Sequence, residues 1–193
     1  MKKPSFLASL LALCLPLAAS AQEVAPKVEI FGGYSYMRDD ALNGVNSHGF
    51  NTSLAGNITK HVGIVGEFSR SDASTSVPTQ VLGLSVTVNL NVLTYLFGPR
   101  IVLHRGKAEP FVHALFGGAR ENLKVPGRPF APRTDNAFAF APGGGLDVKV
   151  NGNFAIRVAQ IDYLGDKLGN ILGSHTGNNF RYSAGIVIRL GKR

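Results

Sequence analysis

The sequence predicts an all-β fold, an eight-stranded antiparallel up-and-down β-barrel with its apolar face turned outward. Three observations predict it. Apolar residues alternate with small or polar ones at period two, in eight segments of about ten residues. The connections between those segments alternate between long and short. The chain also opens with an export signal, which restricts the compartments in which such a barrel would sit.

The export signal is "MKKPSFLASLLALCLPLAASAQEV". Lys2 and Lys3 precede an apolar stretch from Phe6 to Ala18, and Ala19-Ser20-Ala21 supplies an A-x-A cleavage site. The stretch is shorter than the roughly 20 residues a spanning helix needs. Leu13 precedes Cys14 where a lipid-anchor signal would carry a small residue. Residues 1–21 are therefore read as a secretory signal peptide and residues 22–193 as one β-barrel domain. Cleavage removes Lys2, Lys3 and the only cysteine, and lowers the formal net charge from +8 to +6. Thiol and disulfide chemistry are thereby excluded from the mature chain.

The first segment, 28–38, sets Val28, Ile30, Tyr34 and Tyr36 against Glu29, Gly33 and Ser35. "FNTSLAGNITKHVGIVGEF", 50–68, holds the second and third. Phe50, Leu54, Ile58, Val62, Ile64 and Phe68 share one face, and Asn51, Ser53, Asn57 and Glu67 the other. The fourth, 88–101, sets Leu93, Tyr95, Phe97 and Ile101 against Thr94, Gly98 and Arg100. In the fifth, 110–120, Val112, Ala114 and Phe116 oppose His113 and Gly117. The sixth, 137–150, sets Phe138, Phe140, Leu146 and Val148 against Ala and Gly, ending in Asp147 and Lys149. The seventh is 154–164. The eighth, 180–190, sets Tyr182, Ile186, Ile188 and Leu190 against Arg181, Ser183, Gly185 and Arg189.

Connections at about 59–61, 102–109 and 151–153 are short. Those at about 39–48, 71–87, 121–136 and 165–179 are long and rich in Gly, Pro, Asn and Ser. This segregation matches a transmembrane barrel with short periplasmic turns and long extracellular loops. A soluble barrel would expose its polar face to water and carry Lys and Glu there freely. Here that face is mostly Ala, Gly, Ser and Asn with isolated charges, which suits a cramped interior. The apolar face, rimmed by Tyr and Phe, then meets lipid.

Register follows from the turns. A three-residue turn at Asn151–Asn153 pairs Val150 with Phe154, Val148 with Ile156 and Asp147 with Arg157. The turn at 59–61 pairs Ile58 with Val62 and Ser53 with Glu67 by the same arithmetic. In the seventh segment Gln160 and Asp162 fall on the lipid side of this parity. Either a bulge shifts the phase after Val158, or both residues lie above the hydrocarbon.

"YLFGPR" (95–100), "PFVHALFGGAR" (110–120), "GGGLDV" (143–148), "AIRVAQIDYL" (155–164) and "NNFRYSAGIVIRL" (178–190) resemble the outer-membrane protein β-barrel domain related to the barrel of outer-membrane protein A. The resemblance spans essentially the whole mature chain. It implies residence in the outer membrane of a Gram-negative-type envelope and insertion by the outer-membrane assembly machinery. Outer-membrane lipid and lipopolysaccharide are the implied surroundings. Full-length members carry a peptidoglycan-binding domain that has no counterpart in these residues. The last strand ends "IRLGKR", so Leu190 replaces the usual terminal aromatic in the assembly signal.

Signals for catalysis and cofactors are weak. His48, His61, His104, His113 and His175 are scattered, with no metal-ligand spacing. His48 and His175 fall near the long loops with Asp39 and Asp40, a pattern that more often solvates loops than cleaves bonds. "GGG" at 143–145 lacks the Lys-Ser/Thr of a phosphate loop and reads as room for neighbouring bulk. "NTS" and "NIT" match glycosylation acceptors by pattern only. No catalytic, cofactor or metal residue is assigned, and nucleic acid is not expected as a partner because basic residues lack interleaved aromatics.

Glu29, Glu67, Arg100, Asp147, Lys149, Arg157, Arg181 and Arg189 share the inner parity and are read as structural ion pairs filling the lumen. Lys124, Arg128 and Arg133 mark a basic loop available for contact with an anionic surface ligand. The reading is a non-enzymatic envelope protein whose loops serve adhesion or recognition. A narrow solute pore and a soluble periplasmic lipocalin-like carrier of an apolar ligand are the alternatives.

Overall fold

A computed structural model describes residues 26–39, 45–78, 85–104, 106–124, 133–166 and 177–192. The signal peptide with its cleavage site, Asp40, Arg128 and His175 lie outside the described residues. Eight strands follow one another: β1 (Pro26–Asp39), β2 (Val45–Asn57), β3 (Val62–Pro78), β4 (Ser85–Val102), β5 (Ala108–Lys124), β6 (Arg133–Lys149), β7 (Phe154–Asp166) and β8 (Gly177–Lys192). Each pairs antiparallel with the next, and β8 returns to β1 through pairs such as Val28↔Leu190 and Tyr36↔Tyr182. The sheet closes, so every strand has two neighbours and no edge is left for another chain.

Alternation decides which residues point where. Leu54, Ile64, Phe97, Val112, Phe138 and Ile186 all face outward, with Phe97 67% exposed. Phe31, Ala55, Val65, Leu96, Leu115 and Val187 face inward and are buried. The outward apolar wall rules out the lipocalin-like arrangement, in which these faces would be exchanged.

Two short turns are built alike, which is why one rule described both. Thr59 Oγ1 accepts hydrogen bonds from the backbone N–H of His61 (3.2 Å) and Val62 (2.9 Å). Asn151 Oδ1 accepts from Asn153 and Phe154, both at 2.9 Å. The Ile58 N–H donates to the Val62 carbonyl at 2.9 Å, and the Val150 N–H to that of Phe154 at 3.0 Å. These side-chain acceptors lock the hairpin register. Ser53 accordingly faces Glu67, and Asp147 faces Arg157. The third turn, between β4 and β5, passes through Gly106 at φ +61°, a left-handed conformation that suits glycine.

The structure corrects the strand limits. The stretches assigned to long connections at 71–87 and 121–136 are paired strand at both their ends: β3 and β4 continue to Pro78↔Ser85, and β5 and β6 to Leu123↔Arg133. The period-two pattern continues through the first of these stretches, as Val86, Val88, Leu90 and Val92 show. Extending an aligned hairpin satisfies further backbone groups without new loop closure. Lys124 and Arg133 therefore end and begin strands rather than lying inside a loop.

The phase of β7 is also settled. Register shifts between Arg157 and Gln160 against β8, and between Leu146 and Asp147 against β6. A bulge at Val158–Ala159 thus turns Gln160 and Asp162 inward, where both are fully buried. The Tyr182 hydroxyl donates to the Val158 carbonyl at 2.8 Å. That bond covers a backbone acceptor that the bulge would otherwise leave facing lipid.

Inward bulk is accommodated by the "GGG" stretch. A Cβ on Gly143 would clash with Asp162 Oδ1, and one on Gly145 would meet the Phe111 ring at 2.7 Å. We expect Gly143→Ala to cost on the order of 1–3 kcal/mol by overpacking, measured as urea unfolding in lipid vesicles. Gly66→Ala, whose added Cβ meets nothing within 4 Å, is the control and should be near neutral.

Candidate functional site

The inward charges form one connected network along the lumen. Near mid-barrel, His113 Nε2 on β5 lies 2.8 Å from Asp162 Oδ1 on β7. Arg181 on β8 donates to Asp162 Oδ2 from Nη2 (2.7 Å) and Nε (3.1 Å), to Ser69 Oγ at 2.9 Å, and to Glu67 Oε1 on β3. Gln160 donates to Glu67 Oε2 (2.9 Å) and Asp162 Oδ2 (2.8 Å) and accepts from Arg157 Nη1 (2.7 Å). Arg157 then forks onto Asp147, Nε to Oδ1 at 2.8 Å and Nη2 to Oδ2 at 3.1 Å.

From Asp147 the network runs toward the short turns. Arg100 on β4 donates to Asp147 Oδ2 at 3.0 Å and to Glu29 on β1. Arg189 lies 3.4 Å from Glu29 and donates to Glu109 on β5, which Lys149 Nζ approaches to 3.1 Å. Asn51 brings in β2, donating to Glu67 (3.2 Å) and Ser183 (3.3 Å). All eight strands are thus tied together through side chains as well as ladders.

Guanidinium planes provide part of the packing. Arg157 lies over Phe31 at 4.2 Å and Phe111 at 4.3 Å, and Arg100 lies over Phe111 at 4.4 Å. A Lys at these places would supply neither the fork to Asp147 nor the flat face to the rings. Four arginines and Lys149 face five carboxylates, Glu29, Glu67, Glu109, Asp147 and Asp162. Among the described inward residues, the formal charges of the arginines and Lys149 thus balance those of the carboxylates. His104 follows β4 in the periplasmic turn, its Nε2 3.8 Å from Glu109 Oε1, and burial holds its pKa below 6.5.

Toward the extracellular end the network gives way to apolar side chains, with Met37, Leu115, Ala119, Ala139 and Leu164 in one buried cluster. Among the described residues, the inward side chains at this end are thus packed against one another.

Of the residues singled out from sequence, the structure buries Glu29, Glu67, Arg100, Asp147, Arg157, Arg181 and Arg189 in this network. Lys149 joins it from the periplasmic mouth with its side chain 26% exposed. Glu109, His113, Gln160 and Asp162 were not singled out as lumen partners. Carrying the parity of Phe111 back two residues finds Glu109. Asp162 and Gln160 needed the bulge, which no composition signal marks. His48 lies outside instead, its Nδ1 bonded to the Tyr34 hydroxyl, and Asp72 faces it across the β2–β3 ladder. Among the described residues, no three His, Cys, Asp or Glu side chains converge as a metal site would require.

The Asp147–Arg157 fork is the most directly testable link. Alanine at either position should leave the partner charge buried and cost about 3–5 kcal/mol. The double mutant should cost much less than the sum. Exchanging the two residues should recover part of the loss. Urea unfolding of all four variants in lipid vesicles measures the coupling, and strict additivity would contradict the geometry.

Comparison with known proteins agrees with this geometry. The family model of the outer membrane protein beta-barrel domain matches residues 5–185. No curated protein sequence matches the chain. Neisserial surface protein A superposes with a TM-score of 0.64 at 10% identity, covering 88% of this chain and 100% of its own. Ail, the attachment invasion locus protein of Yersinia pestis, does so with a TM-score of 0.57 at 16% identity, covering 86% and 99%. Ail in complex with the heparin analogue sucrose octasulfate gives 0.56 at 17%, covering 88% and 100%. At these identities the structures share the fold alone. The family match over most of the chain, with the closed eight-stranded wall and its outward apolar face, establishes that this protein belongs to the outer membrane protein beta-barrel domain family and resides in the outer membrane.

Proposed function

We propose that the protein is a non-enzymatic component of the outer membrane that stabilises the envelope and presents its extracellular loops for adhesion or recognition. The observation that carries this reading is the filled, charge-balanced lumen. A wall whose interior is occupied by mutually bonded side chains offers neither a solute path nor an open cleft for a reacting molecule. Selective contact is then left to the loops and the strand ends beneath them. Electrostatics favours an anionic partner: Lys124 and Arg133 flank Arg128 in the segment joining β5 to β6, and the mature chain carries net positive charge. The lipid and lipopolysaccharide of the outer membrane surround the wall, and the outer-membrane assembly machinery inserts it.

Sucrose octasulfate, bound by Ail, serves as a defined polyanionic probe. Cells displaying the protein should bind a sulfated polysaccharide more strongly than cells lacking it. Replacing Lys124, Arg128 and Arg133 together by Gln should weaken that binding by roughly tenfold or more at low salt and remove most of its salt dependence. Equal binding by both cell types would contradict an adhesive role for these residues.

A further inference from the structure

The outer wall changes character along one line near its extracellular end. On β3 the outward residues run Val62, Ile64, Gly66 and Phe68, and then Arg70 and Asp72. On β5, Val112, Phe116 and Gly118 are followed by Arg120 and Asn122. Register places Leu93 of β4 opposite Arg70 on one side and opposite Arg120 on the other. The two arginines therefore share one outward row, two strand spacings or about 10 Å apart. Both are exposed.

Their surroundings leave them available. Arg70 pairs with Asp72 of its own strand at 3.3 Å, across a contact that is more than half exposed on the Asp72 side. That carboxylate is also engaged by Asn91 of β4. Arg120 has no ion pair among the described residues.

Below this row, toward the membrane centre, the outer wall is notched. A groove of about 300 Å³ is lined by Thr52, Gly66, Phe68, Tyr95 and Phe97. Gly66 makes the notch, since a Cβ there would meet nothing within 4 Å. Phe68 and Tyr95 each lie two residues from the charged row, on Arg70's strand and on Leu93's. Charge above and an open apolar groove below match a lipid, with its phosphates at the interface and its chains in hydrocarbon. An arginine on a lipid-facing wall is costly at the midplane and nearly free at the interface, where lipid phosphates lie.

The geometry points to a site for lipopolysaccharide on the barrel wall: Arg70 and Arg120 hold the phosphates of its lipid moiety, and the Gly66 groove takes one acyl chain. Arg supplies forked, charge-assisted hydrogen bonds to phosphate oxygens. The site rests on residence in the outer membrane and is independent of what the loops bind.

Binding of phosphorylated lipid A to the detergent-purified full barrel tests it, with dephosphorylated lipid A, phosphatidylethanolamine and inorganic phosphate as further probes. Arg70→Gln with Arg120→Gln should weaken phosphorylated lipid A binding roughly tenfold or more. Dephosphorylated lipid A and phosphatidylethanolamine should bind the unaltered protein no better than phosphorylated lipid A binds that double variant. Gly66→Leu puts bulk into the groove from a position where an added Cβ meets nothing within 4 Å and should weaken binding comparably, while Gly56→Leu, whose Cβ is equally open and lies outside the groove, should not. Unchanged affinity in the arginine variant, or equal affinity for the dephosphorylated lipid, overturns the site. Full competition by millimolar inorganic phosphate, or phosphatidylethanolamine binding as tightly as lipid A, overturns it as a lipopolysaccharide site.

Discussion

A charge inside an eight-stranded barrel has almost no water to solvate it, so it must be met by protein. That constraint organises the interior of this molecule. Asp147 accepts from both Arg100 and Arg157, Asp162 and Glu67 share Arg181, and Glu29 and Glu109 share Arg189. Among the described inward residues, no acid–base pair stands apart. Removing one member strips hydrogen bonds from several strands at once, which makes the network a device for fixing register as well as filling space. Its net contribution relative to an apolar filling of the same shape is a separate matter and can be small.

The same constraint explains features that look unrelated in the sequence. Gly143 and Gly145 leave room on β6 for Asp162 and Phe111. Phe111 in turn gives two guanidinium groups a flat apolar face. The β7 bulge reverses the inward parity after Val158, so that Gln160 and Asp162 join Arg157 inside. With the interior so occupied, the outer wall and the extracellular strand ends are what remain available to contact other molecules.

Much of this was legible from residues alone. Period-two alternation marks the faces, and the three-residue turns set the Ser53–Glu67 and Asp147–Arg157 register that the structure shows. Those turns could be read because Thr59 and Asn151 are standard side-chain acceptors in short connections. The upper strand limits were not legible, because Ser, Thr and Asn interleave the Val86, Val88 and Leu90 alternation there and give it the composition of a loop. The bulge was visible only as a conflict, two polar residues on an apolar parity, and alternation alone cannot say which way such a conflict resolves. Glu109 was hidden by its place beside Pro110 at the edge of a turn. The outward Arg70–Leu93–Arg120 row required the register of three strands together.

Paired charges of the barrel's own residues close the lumen, and ion conductance in planar lipid bilayers tests that closure most directly. The full barrel, reconstituted at single-molecule density, should insert without producing stable open-state current steps. Reproducible porin-sized steps from the unaltered protein would mean that the network does not seal the barrel, and would contradict the account.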